Sequence, residues 1–225
     1  MHKDFVIRYH IVFSDMTRTL LVSLVLLCAF VFVPASGDTV APMRIVAIGD
    51  SLMAGKGLSA DKSFTAQLQN ALADAGYSVS IVNASISGDT TSGGLARLDW
   101  VLAEPFDAVI VFLGQNDAFR AVPVDVIESN LRKMIENIQA RGLPVLFAGA
   151  MAPRNLGAAY YESFDALYPR LAHSSDVIFF PFFLKDVATE PELNQEDGIH
   201  PNERGVSVIV RNILPFAEQL IEAAQ

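Results

Sequence analysis

Three residues of the chain have the types that an acyl-transfer reaction needs: Ser51, His200 and Asp197. A serine hydroxyl is a poor nucleophile until a base removes its proton, and an acid must orient that base. Beyond residue 37 the chain has two histidines. His173 ends a predicted helix, where histidine ordinarily meets terminal carbonyls or solvent, so His200 is the candidate base. Asp197, three residues earlier in an Asp-Gly-Ile-His turn, is the candidate acid.

The oxyanion that forms in such a reaction needs hydrogen-bond donors. The backbone N–H groups of Ser51 and Gly88 and the side-chain amide of Asn116 can supply three. Taken singly, each residue has an ordinary explanation, because serine and asparagine suit turns and glycine supplies a positive φ. Since all of them follow predicted strands or precede the last predicted helix, we interpret them as one site.

Other chemistries fit the chain less well. A zinc site built on histidine and cysteine fails, because beyond residue 37 there are two histidines and no cysteine. The stretch "GLSADKS" at 57–63 lacks the spacing of a phosphate-binding loop. Asp50 and Asp117 could form a glycosidase pair, but Ser51 would then have no task. Met53 stands where the α/β-hydrolase elbow has its last glycine. We therefore expect neither a metal nor a cofactor.

Short apolar runs alternate with helical stretches, and this alternation predicts how the candidate residues are positioned. Strands are predicted at 44–48, 79–82, 108–113, 145–148 and 177–180. Helices are predicted at 64–75, 95–103, 124–141, 160–173 and 203–223, the last kinked or broken by Pro215. The pattern indicates an α/β fold in three layers, with helices on both faces of a five-stranded parallel sheet. Loops after the carboxyl ends of the strands then share one edge, where ligands bind.

The N-terminus has the pattern of an export signal. Arg18 precedes an apolar run at 20–33, and small residues follow, so we predict a signal peptide over 1–37 and a single domain over 38–225. A retained transmembrane anchor is the alternative, although a run of fourteen residues at about 1.5 Å each is shorter than a roughly 30 Å hydrocarbon core. Translation starting at Met16 would give the signal a normal length.

Composition narrows the classes of partner. With 25 acidic and 16 basic side chains the net charge is −9, which argues against nucleic-acid binding. The one cysteine, Cys28, lies in the apolar run, so the predicted domain has no disulfide. We expect a periplasmic or secreted protein without a stable membrane anchor after signal cleavage.

These motifs resemble the GDSL or SGNH hydrolases, a family named for serine, glycine, asparagine and histidine in four blocks. The blocks match Ser51 within 49–52, Gly88, Asn116 and the pair Asp197 and His200. The chain is most similar to the bacterial thioesterase I, lysophospholipase I and arylesterase group, through "VNASISGDTTSGGLARL" at 82–98, "YPRLA" at 168–172 and "DGIHPN" at 197–202. The resemblance implies a flavodoxin-like fold and a serine hydrolase. We expect this hydrolase to be a monomer that acts on a small-molecule acyl ester or thioester.

Two departures from the group's pattern concern the substrate pocket. Gln115 stands where the group commonly has glycine, which predicts a less permissive backbone and a different lining. The segment "MAPRNLGAAYY" at 151–161 corresponds in position to a loop that closes over acyl chains, but its residues differ. Apolar flanking residues predict an acyl groove, with core packing as the alternative: Met53, Leu58, Met151, Ala152, Pro153, Leu156, Phe182 and Phe183. Asp50, Leu52 and Ile199 are further candidate substrate-binding residues.

The sequence leaves three functions open. The first is an esterase, thioesterase or lysophospholipase, and the second is a short-chain deacetylase of cell-wall sugars with the same triad. The third is a catalytically dead envelope binding protein, and the intact set of catalytic residue types weighs against it.

Overall fold

A five-stranded parallel sheet forms the centre of the protein, seen in a computed structural model that describes residues 41–225. The strands are β1 (Met43–Gly49), β2 (Val79–Asn83), β3 (Ala108–Phe112), β4 (Val145–Ala148) and β5 (Ile178–Phe180), in the order β2-β1-β3-β4-β5. Every neighbouring pair is parallel, which confirms the predicted α/β architecture. The predicted signal over 1–37, the Met16 start and Cys28 lie outside the described residues.

Helices connect these strands and cover both faces of the sheet. They are α1 (Ser51–Ala54), α2 (Phe64–Asp74), α3 (Thr91–Val101), α4 (Gln115–Phe119), α5 (Val124–Gln139), α6 (Ala158–Ser174) and α7 (Glu203–Ala223). Helices α2 and α7 pack together on one face, and α3, α5 and α6 on the other. Among the described residues, no helix has both the length and the apolar character needed to cross a bilayer.

The core lies on both sides of the central strands. All five residues of β3 are buried, as are the last five of β1. A parallel strand covered on both faces is apolar along its whole length, which explains the unbroken runs "IVAI" and "AVIVF". This rigid centre fixes the carboxyl ends of β1 and β3, from which Ser51 and Asn116 follow.

Helix α3 begins four residues earlier than the predicted start at residue 95. Gly93 and Gly94 disfavour helix, but two caps outweigh them. The Thr90 side chain accepts a hydrogen bond from the Gly93 N–H, and the Asp117 carboxylate accepts one from the Thr91 N–H at 2.9 Å. The second cap comes from another loop, so the local sequence does not reveal it.

Pro215 does not break α7, contrary to the predicted interruption. The helix runs from Glu203 to Ala223 with Pro215 inside it. Buried side chains lie on both sides of the proline, among them Ile213 and Ala217. Their burial against the rest of the core holds both halves of the helix in place, although the proline removes one helical hydrogen bond.

Candidate active site

Strand β1 delivers Ser51 to the carboxyl edge of the sheet. The strand ends at Gly49, and Asp50 caps helix α1 by accepting a hydrogen bond from the Leu52 N–H at 3.0 Å. Ser51 is therefore the first residue of the helix. A side chain at Gly49 would collide with the following turn, since its Cβ would lie 2.5 Å from the Met53 sulfur. Glycine at 49 thus permits the sharp change from strand to helix.

A tight turn before α7 brings His200 and Asp197 to the same edge. The His200 Nε2 atom lies 2.9 Å from the Ser51 Oγ atom, and His200 Nδ1 lies 2.6 Å from Asp197 Oδ2. Gly198 adopts φ +67, which closes the turn between the two residues. The structure thus joins the three predicted residues in one chain of hydrogen bonds.

Asp197 is held as an anion by the turn that carries it. Its Oδ1 atom accepts hydrogen bonds from the N–H groups of His200, at 3.0 Å, and Ile199, at 2.9 Å. These two bonds, together with the His200 ring, hold the pKa of Asp197 well below its usual range. A carboxylate at this position keeps the imidazole proton on Nδ1, which leaves Nε2 free to accept the proton of Ser51.

The three predicted oxyanion donors converge on one cavity. Ser51, Gly88 and Asn116 all line it, and within residues 41–225 no acceptor engages the Ser51 or Gly88 N–H groups. Gly88 adopts φ +83 with open space where a Cβ would project, so its conformation rather than crowding favours glycine. The Asn116 amide donates to Asp50 Oδ2 at 3.1 Å. Because an amide nitrogen carries two N–H groups, one stays available to a substrate oxygen.

Gln115 fits the site without strain. The turn after β3 is made by Gly114, which adopts φ +116, whereas Gln115 is already the first residue of α4. A side chain at Gly114 would collide with the Tyr168 hydroxyl, which donates to the Leu113 carbonyl at 2.9 Å. The expected backbone constraint at 115 therefore lies one residue earlier. Gln115 is buried and lines the cavity. Its side chain therefore contributes to the lining, as predicted from its replacement of the group's glycine.

The cavity has a volume of about 790 Å³ and opens beside Ser51. Seven of the residues predicted to flank the substrate line it: Asp50, Leu52, Met151, Ala152, Pro153, Phe182 and Ile199. The structure does not bring the other four there. Met53 and Phe183 are fully buried in the core, and Leu58 and Leu156 lie outside the lining. Met53 lies two residues after Ser51, about 200° around the helix, so it faces away from the cavity.

Asp50 is a buried acid that precedes Ser51 in the chain and contacts Asn116, one of the predicted oxyanion donors. Burial raises its pKa from 3.8 to about 7, and the neighbouring Asp89 and Asp117 carboxylates add to the rise. Its hydrogen bonds from Leu52 and Asn116 oppose the rise. Asp50 therefore orients Asn116 in addition to capping α1, a role that its place beside Ser51 in the sequence does not indicate.

Two further residues hold the site loops together and were missed by the sequence analysis. Arg97 forms a partly buried ion pair with Asp89 at 2.8 Å and contacts the Gly49 carbonyl at 3.5 Å, so it fixes the loop that carries Gly88. Arg97 lies within the stretch 82–98 that carries the family resemblance, and this resemblance was the signal that could have identified it.

Gln195 performs a similar function for residues 196–200, which we call the histidine turn. Its side-chain amide donates to the Lys56 carbonyl at 2.8 Å and to the Pro201 carbonyl at 2.9 Å. It thereby ties the end of the Ser51 segment to the turn that carries His200. Nothing in the local sequence signals this clamp, because its partners are distant in the chain.

The arrangement supplies a nucleophile, a base, an acid and oxyanion donors at one cavity, which is the set of groups that acyl transfer uses. Within residues 41–225, no three His, Cys, Asp or Glu side chains are grouped as they would be to hold a metal ion.

Comparison with known proteins agrees with this geometry. An arylesterase of Vibrio mimicus is 41% identical over 177 residues, which cover 78% of this chain and 88% of the relative. The thioesterase 1/protease 1/lysophospholipase L1 of Escherichia coli is 39% identical over 172 residues, covering 76% and 79%. The crystal structure of TesA superposes with a TM-score of 0.75 at 38% identity, covering 79% of this chain and 99% of that one. Residues 47–208 match the GDSL-like lipase/acylhydrolase family, and the chain therefore belongs to that family.

Proposed function

We propose that the chain is an exported serine hydrolase that cleaves carboxylic esters and thioesters through an acyl-enzyme. The observation that carries this proposal is the hydrogen-bonded chain from Ser51 through His200 to Asp197 beside an open cavity. The names of the relatives support the reaction class, since one is an arylesterase and another a thioesterase and lysophospholipase.

The proposed mechanism follows from the distances. His200 Nε2 takes the Ser51 proton as Oγ bonds to the substrate carbonyl carbon. The carbonyl oxygen becomes an oxyanion, which the Ser51 and Gly88 N–H groups and the Asn116 amide stabilise. As the bond to the leaving group breaks, His200 returns the proton to the departing alcohol or thiol. A water molecule then attacks the acyl carbon as His200 Nε2 takes its proton. When the bond between the acyl carbon and Ser51 Oγ breaks, His200 returns the proton to Ser51 and the carboxylic acid is released.

The apolar lining of the cavity supports a preference for acyl chains longer than acetyl. The large apolar side chains among the lining residues are those of Leu52, Phe119, Met151, Phe182, Leu184 and Ile199. Each buried methylene is worth about 0.8 kcal/mol, so the six that distinguish octanoyl from acetyl set an upper bound of about 5 kcal/mol. An open groove realises part of this. We expect kcat/KM for an octanoyl ester to exceed that for the matching acetyl ester by on the order of tenfold or more.

Two measurements test the proposal. The first compares acetyl, butyryl and octanoyl esters of one alcohol, each below its micelle concentration so that aggregation does not imitate selectivity. If the acetyl ester is cleaved as well as the octanoyl ester or better, the long-chain reading fails and a short-chain deacetylase becomes the better account. The second is labelling with a serine-directed fluorophosphonate. If the parent chain takes up no label, or no more label than the Ser51→Ala variant, the protein is a binding protein without this chemistry.

Export is part of the proposal and rests on the predicted signal over 1–37. Expression of the full chain in a bacterium, followed by separation of the periplasmic fraction, tests it. We expect the exported species to begin near Asp38 when its intact mass is measured. A full-length mass in the membrane fraction would instead favour the retained anchor.

A further inference from the structure

Exposed apolar side chains gather at one edge of the described structure. Within residues 41–225 six large apolar side chains are exposed. Five of them lie on segments that follow the carboxyl ends of strands, or on the histidine turn, at the edge that carries Ser51: Ile86, Phe119, Val126, Met151 and Ile199. We call these five the apolar rim. The sixth, Trp100, lies near the end of α3, toward the opposite edge. A one-sided distribution of this kind marks an interaction surface.

Three residues of the apolar rim lie at the cavity, and the other two lie on segments next to residues of the site. Phe119, Met151 and Ile199 line the cavity themselves. Ile86 precedes Gly88 by two residues, and Gly88 lines the cavity as well. Val126 lies in the first turn of α5, beside the buried Ile127, which packs close to Gly114 at the end of β3. A partner bound to the rim therefore faces the cavity opening.

The charges at the same edge indicate the chemistry of that partner. Lys56 lines the cavity, and Arg120, next to Phe119, donates to the Gly88 carbonyl at 3.0 Å. The ion pairs of residues 41–225 leave both cations without a carboxylate partner. Three exposed acids lie at the same edge: Asp125 beside Val126, and Glu196 and Asp197 next to Ile199. The chain as a whole carries a net charge of −9. Cations and acids together at the edge of an acidic protein suit headgroups that carry both a phosphate and a positive charge, and disfavour a strongly anionic surface.

We propose that the apolar rim docks this edge of the protein on a zwitterionic phospholipid surface, with Lys56 and Arg120 against lipid phosphates. A protein partner on the rim would close the cavity opening, whereas a lipid surface leaves it facing a source of amphiphilic molecules. Because only a few half-exposed side chains take part, the association is peripheral and reversible. The docking requires no chemistry at Ser51 and can be measured separately from the proposed hydrolysis.

The test uses the full chain carrying Ser51→Ala, so that no lipid is cleaved during the measurement. Partition onto phosphatidylcholine vesicles is compared with that of the same chain carrying Ile86→Gln and Val126→Gln, neither of which alters the cavity lining. We expect the partition coefficient to fall by on the order of tenfold, because two apolar contacts are lost. The matched control is Trp100→Gln, which removes a larger exposed apolar side chain from the opposite edge and should leave partition unchanged.

Hydrogen exchange of the same Ser51→Ala chain with and without vesicles locates the contact, whatever residues 1–40 contribute to binding. We expect protection confined to the rim loops around 84–90, 117–126, 150–156 and 196–199. Equal partition of the rim variant and the Trp100→Gln control, together with no protection of these loops, would overturn the proposal. So would binding restricted to phosphatidylglycerol vesicles, or a rim-dependent dimer that ignores lipid.

A kinetic control separates this proposal from the proposed function. In the chain with an intact Ser51, Ile86→Gln with Val126→Gln should leave kcat/KM on a soluble acetyl ester unchanged. Absence of ester hydrolysis in the parent chain would reject the proposed function but leave the vesicle result intact. Absence of vesicle binding would reject the docking proposal but leave the proposed function intact.

Discussion

Ionisation of the buried Asp50 carboxyl should lower the free energy of unfolding by a measurable amount. Burial raises its pKa from 3.8 to about 7. When the pKa of an acid is higher in the folded state than in the unfolded chain, the free energy of unfolding falls as pH rises. The fall begins near the unfolded pKa and ends just above the folded pKa. One pKa unit corresponds to about 1.4 kcal/mol, so ionised Asp50 lowers the free energy of unfolding by about 4 kcal/mol at pH 8, roughly 3 of which accrue between pH 5 and 8.

The substitution Asp50→Asn removes this titration while keeping much of the shape. The asparagine oxygen can still accept from the Leu52 N–H, but its amide would face the Asn116 amide, and two donors cannot bond each other. The lost hydrogen bond costs about 1 kcal/mol. We therefore expect the variant and parent to be nearly equal in stability at pH 5, and the variant to be more stable by about 3 kcal/mol at pH 8. Since Asn116 loses its anchor, kcat should fall with KM little changed.

Urea denaturation at pH 5, 6, 7 and 8 measures this difference, because titrating groups that do not interact with Asp50 act alike in both chains and cancel. Asp99→Asn is the matched control: Asp99 is an exposed carboxylate in an ion pair with Arg141, and its loss should leave the pH dependence unaltered. Parallel stability curves for parent and Asp50→Asn would refute the reasoning, since they would mean that Asp50 ionises in the folded protein as easily as in the unfolded chain.

Three further predictions concern the proposed reaction. Ser51→Ala should keep the fold, measured by circular dichroism, but lose on the order of 10⁴–10⁶ in kcat, and ester hydrolysis within tenfold of the parent would reject Ser51 as nucleophile. Asn116→Ala should cost roughly 2.7–4 kcal/mol of transition-state stabilisation in kcat, whereas a loss confined to KM would make Asn116 a substrate-positioning residue. His200→Ala should lower kcat by an amount comparable to that lost in Ser51→Ala, because the two residues act as a unit, and a loss of less than tenfold would argue against His200 as base.

The strands and most helices could be predicted because the physical signals are local. Buried parallel strands are short apolar runs, and helix caps such as Ser63 and glycines such as Gly76 lie beside the elements they end. The start of α3 and the continuity of α7 through Pro215 could not, since a cap from Asp117 and core packing decide them. Helix α4 has five residues, too few for periodicity to show.

In the candidate site, too, some features could be predicted from the sequence and others could not. Residue types and the topology of a parallel sheet suffice to bring Ser51, Asn116 and His200 to one edge. Which side chains face the cavity depends on the rotation of each short segment, and this is why Met53 was misplaced. The contacts that orient the site join positions far apart, 66 residues for Asp50 with Asn116 and 139 for Gln195 with Lys56. No local pattern encodes pairs at such separation.

The two aspartates of the site have pKa values displaced in opposite directions, and the displacement matches the charges that the proposed reaction develops. Asp197 receives backbone N–H donors and remains a carboxylate beside the ring that must become an imidazolium. Asp50 is buried among other acids, so its proton is retained to near neutrality beside the amide that must hold an oxyanion. An ionised Asp50 would repel the negative charge that develops on the oxyanion. Burial of Asp50 therefore lowers the stability of the fold but favours negative charge on the substrate rather than on the protein.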